Sequence, residues 1–240
     1  MRTHNAEVAA PITQLFDDYG RYSDVFDDGV GRLLNGRRLI VTESRSSPEV
    51  LDFETSMCMR VFSRPFLRGS SIQFGTESFC EDVLPSRIAF LRASRIVVSN
   101  ESYYFYRKNR RGQRTHFLCP TNGRIADVIR DCMHVGMEFI TDDRQGGYFL
   151  LRLLRLVFWS RELIPLELAD ALQTRLVQEF RRSPSGWWRA LRAMPECNRR
   201  MKRFADLNLV GAREQLLAKV FDTRPTPFAD RVARKMMRRI

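Results

Sequence analysis

Gly146-Gly147-Tyr148-Phe149-Leu150-Leu151-Arg152-Leu153-Leu154-Arg155-Leu156-Val157-Phe158-Trp159 opens the most apolar stretch of a 240-residue chain. Leu150, Leu153, Leu154, Val157 and Phe158 recur at helical spacing, and Ile164 extends the same face. A membrane span takes roughly 20 uninterrupted apolar residues. Arg152, Arg155 and Arg161 interrupt this run, so it reads as a buried core helix whose arginines reach its rim along their apolar stems. Gly146-Gly147 marks its start. Pro165 closes it and suits the first turn of a second helix, in which Leu166, Ala169, Leu172, Leu176 and Phe180 form an inward face. The stretch from Gly146 to Phe180 therefore predicts a helical hairpin around which the rest of the chain is organised.

On the C-terminal side, Ser183 is a candidate cap with Pro184 at the first helical position, followed by Trp187–Arg203 with a break at Pro195. Gly211–Phe221 and Pro227–Ile240 read as the last helices, the final one capped by Thr226. Upstream, Asn122 suits the N-cap of a helix over Gly123–Ile140. Before that the signal changes to strand. The candidates are Arg38–Thr42, Val50–Phe62, Ile72–Phe74, Arg87–Ser99, Ser102–Arg107 and His116–Cys119, bounded by turn-rich pieces. In Val50–Phe62, Phe53, Thr55, Met57, Met59 and Val61 alternate with Asp52, Glu54, Cys58 and Arg60, the pattern of a sheet with one covered face. Residues 1–30 read as one or two short helices, with Asp17, Asp18, Asp24, Asp27 and Asp28 as caps. The expected class is α+β: an antiparallel β-rich N-terminal half followed by an all-helical C-terminal half. It divides into an acidic helical segment (1–36), a sheet region with a capping helix (37–140) and a basic helical region (141–240).

Within 87–140, the runs Ser94–Lys108 and His116–Phe139 carry a partial resemblance. Strands at 88–98, 103–106 and 116–119, then a helix, resemble the end of a pleckstrin-homology-like domain, particularly the third lobe of FERM modules. The resemblance implies a bent antiparallel sheet capped by the helix, and binding of peptides or phosphoinositide head groups. No FERM-like N-terminal lobes precede it, and the strands at 37–80 match weakly.

The formal charge is +12 and the pI near 10.1, which points to an anionic partner. Arginine supplies nearly all of it, lysine standing only at 108, 202, 219 and 235. Its planar fork suits bidentate phosphate contacts. Cysteines at 58, 80, 119, 132 and 197 are odd in number and scattered, which fits reduced thiols. With no signal-peptide pattern at the N-terminus and no membrane-length span, the expected setting is intracellular, cytoplasmic or nuclear.

Enzymatic templates find little purchase. His116-x-x-Cys119 and Cys132-x-His134 have the residue types of a zinc site, but such spacings point apart on a strand and on a helix. Asp52-Phe53-Glu54 puts two carboxylates on one strand face, as metal-dependent nucleases do, without the nearby lysine. No phosphate-cradling glycine loop, nucleophile elbow or H-E-x-x-H helix is present. No catalytic residue, metal ligand or cofactor is assigned, and the reading leans against an enzyme.

Three basic clusters stand out instead. Arg107, Lys108, Arg110, Arg111 and Arg114 form an expected hairpin tip beside Tyr103, Tyr104, Phe105 and Tyr106, the pairing of cations and rings that single-stranded nucleic acid uses. Arg181, Arg182, Arg189, Arg192, Arg199, Arg200, Lys202 and Arg203 make the second. Arg231, Arg234, Lys235, Arg238 and Arg239 flank the stripe Phe228, Val232, Met236 and Ile240 in the third. Together they predict a non-enzymatic binder of RNA or DNA backbone, of the type found among viral structural and host-directed regulatory proteins. The alternatives are a peripheral membrane or adaptor protein that engages an anionic membrane surface or a protein partner, and an enzyme with an unrecognised site.

Overall fold

A computed structural model describes residues 4–16, 22–25, 27–74, 80–107, 124–161, 163–164, 168–213, 217 and 220–221. The class is α+β, with the sheet in the N-terminal half and helices in the C-terminal half. The strands are β1 (Val8–Phe16), β2 (Tyr22–Val25), β3 (Leu39–Thr42), β4 (Val61–Phe62) and β5 (Ile96–Arg107). Among them run α1 (Asp28–Leu34), α2 (Arg64–Gly69) and α3 (Val83–Arg92). After them come α4 (Ile125–Phe139), α5 (Asp143–Arg161), α6 (Ala169–Arg181), α7 (Ser185–Ala193) and α8 (Arg199–Leu209).

The sheet is mixed where an antiparallel one was expected. Its order is β2-β1-β5-β3, with β4 also paired to β1. β1 and β5 run parallel, Val8 beside Ile96 through Phe16 beside Arg107, while the other pairings are antiparallel. Sequence reasoning placed helix where β1 lies. Val8, Ala9, Ala10 and Pro11 are four consecutive buried residues, and alanine-rich burial carries no period-2 signal. Pro11 lacks an N–H for the ladder, and the register with β5 shifts immediately after it, as expected of a strand proline. Asp27 does cap α1, accepting from Gly29 N–H at 3.2 Å.

The expected strand Val50–Phe62 is two tight 3-10 turns, Pro48–Asp52 and Met57–Met59, followed by the two residues of β4. Val50, Leu51, Asp52 and Phe53 are all buried in succession, which one covered sheet face does not allow. Arg87 explains how that segment holds. The front of the expected strand Arg87–Ser99 is instead α3, and Arg87 lies within it with no exposed surface. Its guanidinium donates to the Leu51 carbonyl, to the Phe53 carbonyl at 3.1 Å and to Ser86 Oγ at 3.2 Å. Burial, with the nearby Arg152 charge, lowers its pKa to about 10, so it stays charged at neutral pH. The segment 72–74 is irregular, and 116–119 lies outside the described residues.

The apolar stretch forms α5, which starts at Asp143, before the two glycines. Leu150, Leu151, Leu153, Leu154 and Val157 are fully buried in one core that also takes Val8 and Val98 from the sheet and Phe221 from the end of the described chain. The neighbour along α5 is α7, where the sequence predicted a hairpin with the next helix. Gly146 and Gly147 make that close crossing. A Cβ on Gly146 would run into the Trp187 ring, and one on Gly147 would stand 2.9 Å from the Leu191 backbone nitrogen. Local spacing finds the helix, but the partner is set by this glycine notch. Leu154→Ala should cost about 2–5 kcal/mol in urea unfolding, because the enclosed site has little room to collapse. A cost below about 1 kcal/mol would show that α5 is not the centre of the core.

Candidate active site

Asp82 occupies the N-cap position of α3, yet its carboxylate makes no capping bond. Oδ2 accepts instead from Met57 N–H at 3.3 Å. The next residue, Cys58, lies close enough to Tyr104, in the C-terminal half of β5, to raise its phenol. The Met57–Cys58 turn thus ties Asp82 to the C-terminal half of β5, the strand that runs parallel to β1. In sheets with parallel strands, ligands collect outside the carboxyl ends. Burial, then the adjacent Glu81 charge, raises the Asp82 carboxyl above its ordinary range, against the pull of Met57 N–H. No cation pairs with it among the described residues.

Glu54 is the contrasting group. Burial works to raise it, but the charge and hydrogen bond of Arg152, with the Thr55 N–H and Arg60, hold it below the usual carboxylate range. Its negative charge in turn adds to the raising of Asp82. One carboxyl is thus held ionised while its neighbour is moved toward neutral pH, the separation that acid–base chemistry uses. Behind them, the Arg60 side chain is enclosed. It pairs with Asp27 and donates to the Glu54 carbonyl at 3.0 Å, while Glu54 N–H donates to Asp27 Oδ2 at 2.9 Å. The Cys80 thiol nearby is raised by burial and then by Asp82, which makes it inert as a nucleophile.

Asp52 and Glu54 do not share a wet sheet face. Asp52, 3% exposed, accepts from Arg155 at 2.5 Å and Arg32 at 3.1 Å. Burial pushes its carboxyl up to about 6 despite Arg155, Arg152 and Arg32. A carboxyl raised on folding stabilises in its protonated form. That contribution is full below about pH 4 and is lost as pH rises through about 6, on the order of 3 kcal/mol for a shift of about two units. Asp52→Asn should lack this decline, read as the difference between the two proteins in urea unfolding from pH 4 to 7. A difference independent of pH would place the Asp52 titration elsewhere.

Cys132 is buried in α4, its thiol pushed by burial up to about 12, whereas His134 of the same helix is exposed. No group of three His, Cys, Asp or Glu among the described residues is arranged to hold a metal ion. His116 and Cys119 lie outside those residues, as do Lys108, Arg110, Arg111, Arg114, Arg231, Arg234, Lys235, Arg238 and Arg239. Arg107 is exposed at the end of β5. In the second cluster, much of the charge is already engaged. Arg181 donates to the Ala212 carbonyl, Arg182 pairs with Glu179 at 2.8 Å, Arg192 pairs with Asp206, and Arg189 reaches Ser185 at 3.4 Å. Arg200 donates to the Val220 carbonyl at 2.7 Å and lies over the Phe158 ring. Arg199, Lys202 and Arg203 are on α8, the last two exposed alongside Arg199. Sequence reasoning passed over Glu81-Asp82 entirely, because it expected a strand from Arg87 and saw no helix at 83–92 for these acids to precede.

No protein-family model matches the chain, and no curated protein sequence matches it. Solved structures do. TarS 1-349 of S. aureus in complex with UDP-GlcNAc superposes with a TM-score of 0.65 at 14% identity, covering 92% of this chain and 60% of that one. Its complex with UDP gives a TM-score of 0.61 over 92% of this chain and 58% of that one. This chain therefore spans about three fifths of the TarS chain it matches. TarS is a glycosyltransferase. That finding overturns the expected non-enzymatic binder of RNA or DNA, the lean against an enzyme and the viral-protein analogy. The neighbours are not pleckstrin-homology or FERM domains. Among the described residues no helix is long and apolar enough to cross a membrane. At this identity, what the chain shares with TarS is its fold.

Proposed function

We propose that the chain works in glycosyl transfer from a nucleotide-sugar donor, with Asp82 as the base. The observation that carries the reading is the fold likeness to TarS over 92% of the chain, in crystals that hold UDP-GlcNAc or UDP. The chemistry of Asp82 supports it. When an acceptor hydroxyl attacks an anomeric carbon, the new C–O bond forms as the hydroxyl loses its proton. The bond to the nucleoside diphosphate breaks and its electron pair leaves with the phosphate. A base serves this step best when its pKa approaches the working pH. Asp82 is moved that way by burial, Glu81 and Glu54, and no guanidinium neutralises it among the described residues. Glu54, clamped by Arg152, stays ionised and keeps that bias in place. The free thiols Cys58, Cys80, Cys132 and Cys197 support an intracellular setting.

The test is calorimetric titration of the purified chain with UDP and UDP-GlcNAc, together with UDP release from a panel of UDP-sugars. Saturable binding and turnover are expected. Absence of both, up to millimolar donor, would overturn the reading.

A further inference from the structure

β3 ends one side of the sheet, and its outer edge lacks the usual guards. The order β2-β1-β5-β3 gives it a partner on one side only among the described residues. The Arg38 carbonyl accepts from Asn100 N–H at 3.0 Å. In the antiparallel register, Arg38, Ile40 and Thr42 therefore turn their backbone groups to β5, and Leu39 and Val41 turn theirs outward. Free edges are ordinarily blunted by a charge within the strand, a proline or a bulge. Leu39-Ile40-Val41-Thr42 holds no charge and no proline, and its register with β5 runs without a shift.

The side chains point the same way. Val61, Ala9, Val97 and Val41 stand directly opposite one another across β4, β1, β5 and β3. They lie on the face turned away from the main core, which takes their neighbours Val8, Ile96 and Val98. Ala9 and Val97 are buried, but the row runs out on β3 at Val41, 40% exposed, with Leu39 on the same face at 37%. Another strand alongside would continue it.

Charge selects the chain's own β3, antiparallel about a two-fold axis through Ile40. Leu39 then meets Val41 of the second copy on both sides of the axis, outward backbone groups matched and the two side chains paired. One alternation further out, Arg37 stands opposite Glu43 of the second copy, twice by symmetry. A register moved by two residues sets Leu39 against Glu43, or Arg37 against Val41, and loses these ion pairs. A register moved by one sets inward backbone groups against outward ones. Arg37 is exposed and donates to the Leu33 and Leu34 carbonyls, which fixes its guanidinium without neutralising it. Of the other charges near the edge, Arg38 pairs with Glu101 at 2.7 Å, and Arg45 lies in the turn beyond Glu43.

We infer that β3 is a dimer interface, through which two copies of the chain join edge to edge into one continuous sheet. β3 covers only Ile96–Ser99 of β5, so the half of β5 to which Asp82 is tied stays clear of the pairing. Four residues a side make a small contact, and the dimer is accordingly weak and reversible.

The experiment is sedimentation velocity of the full chain from micromolar to submillimolar concentration. A reversible shift from the 28.1 kDa monomer to the dimer is expected. Val41→Pro removes an N–H that only the second copy uses, so it should weaken association about tenfold or more with little change in melting temperature. Val41→Lys, which puts a charge on the exposed edge, should do the same if proline disturbs the fold. Glu43→Arg and Arg37→Glu should each weaken self-association about tenfold by setting like charges opposite. An equimolar mixture of those two variants should recover the wild-type affinity, because both pairs in the mixed dimer are again of opposite sign. A merely structural role for Arg37 or Glu43 predicts no such recovery. A chain that stays monomeric throughout, leaving the edge to another protein's strand or to none, would overturn the inference. So would a dimer that neither Val41 variant weakens, or a mixture that associates no better than its components.

Discussion

Asp82→Asn should lower the rate of sugar transfer by about 10²–10⁴-fold, the usual contribution of a positioned general base. Asparagine has nearly the same shape and keeps an oxygen for Met57 N–H, so the fold should be retained and the melting temperature should stay within a few degrees. The pH profile separates a base from a structural carboxylate. Asp82 must be ionised to accept a proton, and its pKa is raised by burial and Glu81. The wild-type rate should therefore climb with pH through a value above the ordinary carboxylate range and level off beyond it. The residual rate of the variant should lack that limb. Equal rates, or an unchanged acid limb, would remove Asp82 from the chemistry.

Asp27→Ala should be the most damaging single change to the fold. It strands the Arg60 side chain, which is 0% exposed, without its counter-ion, and it takes acceptors from the N–H groups of Gly29 and Glu54. Breaking a buried pair by removing one partner costs about 3–5 kcal/mol. Urea unfolding of Asp27→Ala, Arg60→Met and the double variant resolves the source of the loss. If the unpaired charge dominates, the double variant should be more stable than Asp27→Ala alone. Additive losses would mean that the cap and the two backbone contacts matter more than the charge.

These two residues also show where sequence reading stops. α5 was legible because Leu150, Leu153, Leu154 and Val157 repeat with the period of a helix, a signal that needs no partner. The α4 helix and the break between α7 and α8 at Pro195 were legible for the same local reasons. The 48–62 segment was not. Its alternation is real in the sequence, but Arg87, 34 residues beyond Phe53, takes the carbonyls that a strand would need. Arginines were read as outward-facing because most are, whereas Arg60, Arg87 and Arg152 form the inner frame of the candidate site. Asp82 was missed because its character comes first from burial, which only the packed fold supplies, and then from the Glu81 charge beside it. One hint was available: Cys-Glu-Asp at 80–82 places two acids before a helix, more than one cap requires.

The most direct measurement is a crystal structure of this chain soaked with UDP-GlcNAc. The expected density places the sugar's anomeric carbon beside the rim formed by Asp82, Met57 and Glu54. An acceptor hydroxyl or a water there should lie within about 2.6–3.2 Å of the Asp82 carboxylate. A donor bound with its anomeric carbon remote from Asp82, or crystals that take up no donor at millimolar concentration, would contradict the assignment.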